Sequence, residues 1–89
     1  MEALRDQINS VDEQLLLLLK KRFDLSKSVA EIKKNDKTIV LHDPVREKEI
    51  IDNLKSKKII DDIIIEEICR EILYLSKCVQ KDIINKTII

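Results

Sequence analysis

A run of 33 residues without glycine or proline, Glu2 to Lys34, constrains this chain more than any other feature. Within it Leu4, Ile8, Val11, Leu15, Leu18, Leu25, Val29 and Ile32 follow alternating steps of four and three, and the one position of that series that is not apolar is Arg22. A seam of this period predicts a single helix packed lengthwise against other helices. At about 1.5 Å per residue the helix would be roughly 50 Å long, more than a compact monomer of this size covers. The length implies a partner chain, and an arginine in the seam needs compensation.

Composition narrows the class further. Hydrophobic residues make up 44% and charged residues 38%, with no glycine and one proline, which suits an all-α protein and leaves little material for hairpin turns. Eighty-nine residues form one small domain, near the lower limit for a self-sufficient core. Lys plus Arg equals Asp plus Glu at 17 each, so no global basic field exists to hold nucleic acid. One Tyr and one Phe offer no stacking platform for single strands. The opening Met1-Glu2-Ala3-Leu4-Arg5-Asp6 lacks the pattern of a signal peptide, and the run Leu15 to Leu19 is too short to span a bilayer. A cytoplasmic protein without a membrane partner is the expectation. Cys69 and Cys78, on opposite sides of one helix and roughly 13 Å apart along it, cannot bridge within the chain. Both are expected as reduced, partly buried small apolar residues.

Three helices are predicted, at about 2–34, 44–57 and 62–85, in a single domain spanning 1–89. The first ends in the polar cluster Lys33 to Lys37. The run Thr38-Ile39-Val40-Leu41 favours β structure but has no second run to pair with, and is expected as packed loop. Asp43 followed by Pro44 is the clearest start signal, an N-cap before a proline at the first helical position. Ile50, Ile51 and Leu54 supply the apolar side of this second helix, and Glu47, four residues before Ile51, shares it. On the third helix Ile65, Ile68, Ile72, Leu75 and Val79 form one stripe. Beside it Cys69, Leu73, Ser76 and Gln80 form another that turns polar, and the tail Thr87-Ile88-Ile89 is expected to fray.

Each helix thus carries polar groups where packing favours hydrocarbon: Arg22, Glu47, and the pair Ser76 and Gln80. Lys33, eleven residues beyond Arg22, returns to nearly the same azimuth. Burying such groups is costly unless each finds a partner. Taken singly, each has an ordinary explanation. Arg22 can snorkel or pair with Glu47 to fix register. Lys33 and Glu47 suit the helix ends they occupy. Ser76 and Gln80 can bond between helices, and His42 reads as a loop residue. Their coincidence on three helices favours a site. The sequence has no glycine-rich phosphate loop, no metal-spaced His/Cys set, and no nucleophile arrangement around its single His. A site of arginine and lysine with amide and hydroxyl donors suits a small anion.

These residues resemble the chorismate mutases of the all-helical class, over the chain from Ala3 to Gln80. The matching pieces are Leu4-Arg5 followed by Ile8 and Val11-Asp12; Leu18-Leu19-x-x-Arg22; Val29-Ala30 with Lys33; Asp43-Pro44-Val45-Arg46-Glu47; and Arg70-Glu71-Ile72 leading to Ser76 and Gln80. The Asp43 to Glu47 segment is the most specific. The loop from Asn35 to His42 departs from the family in lacking its usual Gly and Pro. The resemblance implies an intertwined homodimer that rearranges chorismate to prephenate, a unimolecular shift needing no cofactor or metal. It further implies that Arg5 and Arg22 hold the substrate carboxylates, with Ser76 assisting, and that Lys33 and Gln80 face the ether oxygen of the breaking bond. Glu47 and the Asp43 backbone would take the ring hydroxyl, and Arg46 would line the site.

Geometry adds a condition to that implication. Arg5 and Arg22, seventeen residues apart on one helix, are separated by roughly 25 Å, too far for one small ligand. If both serve one site, Arg5 must enter from the other subunit. With 89 residues there is no room for a fused catalytic or regulatory domain, so a monofunctional enzyme is expected. Two other readings fit the same residues: an isochorismate pyruvate-lyase on the same fold, and a non-catalytic helical dimerisation module in which Arg22 and Glu47 set register.

Overall fold

A computed structural model describes residues 1–36 and 42–85. It contains α1 (Glu2–Lys33), α2 (Pro44–Ser56) and α3 (Asp62–Asn85), with no strand among the described residues. The expected helix ends agree to within one residue. The run Thr38 to Leu41 and the tail Thr87 to Ile89 lie outside the described residues.

Local chemistry explains the boundaries of α2. The Asp43 carboxylate accepts the N–H of Arg46 at 3.0 Å, and its carbonyl accepts the N–H of Glu47 at 3.0 Å. Pro44 begins the helix where an N–H would have no partner. At the other end, the N–H of Lys57 reaches the Leu54 carbonyl, and Lys58 adopts a left-handed backbone with φ 57°. Glycine is the usual residue there, but the chain has none. The lysine stands in at a cost of about 1 kcal/mol.

Helix α3 packs against both others. Arg22 meets Ser76 and Gln80 meets the Ser26 carbonyl, so α1 and α3 advance together and run parallel. Glu47 meets Lys77 and Lys55 meets Glu66, so α2 runs antiparallel to α3. Small residues on α1, Ser26 and Ala30, are buried along the shared seam.

What this packing leaves uncovered matters more. Among the described residues the buried apolar ones are Ala30, Ile65 and Cys69. Every residue from Met1 to Leu18 is exposed, including Leu4 and Ile8 at 58% and Leu18 at 65%. The molecule measures 52 × 28 × 15 Å with a radius of gyration of 16.0 Å; a compact chain of this length has about 12 Å. Its accessible surface is 7444 Å², whereas a globular monomer of this size exposes about 5,400 Å². The apolar seam read from the sequence is therefore present and faces outward. No helix among the described residues is long and apolar enough to cross a membrane.

The two cysteines differ from expectation in one respect. Cys69 is buried, and desolvation pushes its thiol pKa up, but Cys78 is exposed. Cys78 falls on the side of α3 that neither stripe uses. Both are free thiols.

One ion pair ties α2 to α3 near the turn. The Lys55 ammonium donates to the Glu66 carboxylate, which holds the Glu66 pKa below the ordinary glutamate value and that of Lys55 above the ordinary lysine value. A carboxyl whose folded-state pKa is lowered stabilises the fold above its unfolded pKa and loses that contribution as acid titrates it. The melting temperature of Glu66→Gln is accordingly expected below that of wild type at neutral pH, with the gap closing in acid below the ordinary glutamate range. A gap that persisted unchanged there would show that the bond does not stabilise the fold through its charge.

Candidate functional site

The site is built from one stretch on each helix. From α1, Arg22 and Lys33 lie three turns apart on one azimuth. From the start of α2 come Asp43, Arg46 and Glu47, brought in by the cap. From α3 come Ser76 and Gln80, one turn apart. All seven line a single cleft of about 380 Å³, together with Ser26, Lys77 and the apolar side chains Leu25, Val29, Ile50 and Leu73. Small-molecule sites occupy roughly 300–1,000 Å³. Four cationic side chains face this cleft, Arg22, Lys33, Arg46 and Lys77, against two carboxylates, Asp43 and Glu47. The excess is two positive charges.

The polar groups are held by specific bonds. Arg22 Nη1 donates to Ser76 Oγ at 2.5 Å, and Ser76 is buried. A guanidinium has five N–H donors, so this bond fixes its plane and leaves others to meet a carboxylate in a fork. Gln80, also buried, donates its amide N–H to the Ser26 carbonyl at 3.4 Å. Its second N–H remains for another acceptor. Ser26 Oγ in turn bonds the Arg22 carbonyl at 3.1 Å. Arg46 is more open and bonds Glu49 at 3.4 Å.

One expectation changes here. The suggested Arg22–Glu47 pairing is not how these groups are satisfied: Arg22 bonds Ser76, while Glu47 Oε1 pairs with Lys77 Nζ at 2.9 Å. Lys77 itself went unnoticed in the sequence, although it follows Leu73 by four residues and precedes Gln80 by three. That spacing places it on the same flank. Ser26, four beyond Arg22, was missed for a similar reason.

Arg5 is the one predicted site residue outside the cleft. It lies in the first turns of α1, 66% exposed at its side chain, with Glu2 3.9 Å away. A larger hollow of about 840 Å³ between α2 and α3 shares Glu47, Leu73 and Lys77 with the first. Its remaining charged groups are Lys48, paired with Asp52 at 2.8 Å, Lys55, paired with Glu66, and Arg70, paired at 3.4 Å with Glu67 outside the lining. Its surplus is one positive charge, against two in the first cleft. Among the described residues, no group of three or more His, Cys, Asp or Glu side chains is arranged to hold a metal ion.

Fold and cleft together define an all-α protein with a cationic, donor-rich cleft suited to a small dianion. The family model described as chorismate mutase type II matches residues 4–81, and the chain belongs to that family. A protein from Methanocaldococcus jannaschii described as chorismate mutase is 40% identical over 55 residues, covering 62% of this chain. The chain spans about half that relative's length, 54% being aligned. No solved structure matches the chain.

Proposed function

We propose that the protein converts chorismate to prephenate in the cytoplasm, as a homodimer in which each cleft is completed by Arg5 of the partner subunit. The observation that carries this reading is the convergence of Arg22, Lys33, Glu47, Ser76 and Gln80, from three helices, on one cleft with two surplus positive charges. Chorismate carries two carboxylates, a ring hydroxyl and an ether-linked enolpyruvyl arm. Membership of the family supports the substrate, and in this reading the cleft's own residues meet every group of it except one carboxylate, which is left to the partner's Arg5.

The dimer follows from surface and reach. About 2,000 Å² more surface is exposed than a globular monomer of this size shows, the scale of a stable interface. Leu4, Ile8, Val11, Leu15, Leu18, Leu25, Val29 and Ile32 of the α1 seam are all among the exposed apolar side chains, with Arg5 at the seam's outer end. A second copy laid along that seam would cover it and bring a fifth cationic side chain to the opposite cleft. Neither requirement is met by one chain alone.

Catalysis in this reading is conformational and electrostatic. Arg22, fixed by Ser76, and the partner's Arg5 hold the two carboxylates, so that the enolpyruvyl arm folds over the ring. Glu47 accepts a hydrogen bond from the ring hydroxyl while the Asp43 N–H donates to its oxygen, the Asp43 carbonyl being already engaged by the helix. Arg46 adds positive potential at the rim. As the carbon–oxygen ether bond breaks and the new carbon–carbon bond forms, negative charge grows on the ether oxygen. Lys33 and the second N–H of Gln80 are the donors that meet it. Pre-aligned donors of this kind lower a barrier by about 3–4 kcal/mol each.

Purified protein mixed with chorismate is expected to abolish the ultraviolet absorbance of the diene and to yield prephenate. Release of pyruvate from isochorismate, without prephenate formation, would replace this reading with the lyase. Absence of either reaction would leave a dimerisation module.

A further inference from the structure

Lys77 is held across two helices, an arrangement shared among the described ion pairs with Lys55–Glu66 alone. Its ammonium lies 2.9 Å from Glu47 Oε1 and 3.3 Å from His42 Nδ1, and the two ion-paired side chains are 28% and 24% exposed. Pairs such as Lys20–Asp24 and Lys48–Asp52 run along one helix, with every side chain at least half exposed. The Lys77–Glu47 pair instead crosses from α3 to the first turn of α2, and its members stand in the wall shared by the two hollows.

We propose that Lys77 is a positioning residue, which pins one oxygen of the Glu47 carboxylate so that the other faces the substrate hydroxyl. The inference rests on the chorismate reading and extends it to a residue outside the roles assigned above. A glutamate side chain has three rotatable torsions and considerable rotamer freedom to lose. Glu47 also shares its cleft with Arg22, Arg46 and Lys33, each of which attracts the same carboxylate. An ammonium bound to Oε1 from the α3 side satisfies one oxygen and opposes collapse onto those cations. A carboxylate accepts about four hydrogen bonds, so Oε2 keeps its capacity for the ligand.

The test is a set of kcat/KM measurements on chorismate for wild type, Lys77→Met, Lys77→Arg, Glu47→Gln and the Lys77→Met/Glu47→Gln double variant. Lys77→Met is expected to lower kcat/KM about tenfold, the cost of leaving one glutamate unordered. Lys77→Arg, which keeps a cation within reach of Oε1, should recover to within about threefold of wild type. In the Glu47→Gln background the Lys77→Met change should add less than about twofold, because there is no carboxylate left to position. Helicity and melting temperature establish that each variant folds, and Lys77→Gln takes the place of Lys77→Met should the latter not. Wild-type kcat/KM in Lys77→Met, no rescue by arginine, or a full additive loss in the double variant would each overturn the role. A wild-type protein that leaves chorismate untouched overturns the chorismate reading itself, a result distinct from an active wild type matched by an equally active Lys77→Met.

Discussion

Chorismate turnover is expected to fall at least about a hundredfold when Lys33 is replaced by alanine, and by a similar factor for Arg22→Ala. The two losses have different origins. Lys33 sits in the last turn of α1, where its charge is favoured by the helix end. Its proposed contribution is to the charge that appears on the ether oxygen during bond breaking. The fall should therefore register in kcat more than in KM. Arg22 holds a carboxylate before and during the reaction, so both parameters should suffer. Its loss also strands the buried Ser76 hydroxyl. Initial rates from the diene absorbance, with helicity recorded beside them, separate chemistry from unfolding. Near-normal turnover in a folded Lys33→Ala protein would remove the ether-oxygen role.

A second large effect is expected from mixing two dead proteins. Arg5→Ala and Arg22→Ala homodimers should both be nearly inactive, since every cleft in either lacks one carboxylate ligand. Co-refolding them in equal amounts places half the chains in mixed dimers. Each mixed dimer has one cleft with both arginines intact and one with neither. Roughly a quarter of wild-type activity should return, from two preparations that have almost none. No recovery after verified subunit exchange would show that Arg5 does not serve the neighbouring cleft. Full activity of Arg5→Ala alone would show that it serves none.

The sequence made the elements legible and left their mutual placement obscure. Asp43-Pro44 fixed the start of α2 because capping is a local event, settled within four residues. The four-three rhythm from Leu4 to Ile32 disclosed both the long helix and its apolar face, since periodicity records which azimuth is apolar. Periodicity says nothing of how one helix is turned or slid against the next. That is decided by where α3 can approach α1 closely, at Ser26 and Ala30, two residues too small and ordinary to stand out. Once that register is set, Ser76 falls opposite Arg22 and Gln80 opposite Ser26. Lys77, indistinguishable from a solvated lysine in the sequence, then falls opposite Glu47. Arg5 was legible only as a distance: seventeen residues of helix place it beyond the reach of its own chain's cleft.

The meagre interior formed by Ala30, Ile65 and Cys69 has a consequence beyond the cleft. So few buried hydrocarbon groups among the described residues offset little of the entropy of the coil. In the assembly proposed, folding and pairing become one bimolecular event, and dilution acts as a denaturant. Whatever sets the cell's supply of this polypeptide then also sets how much of it is folded at all.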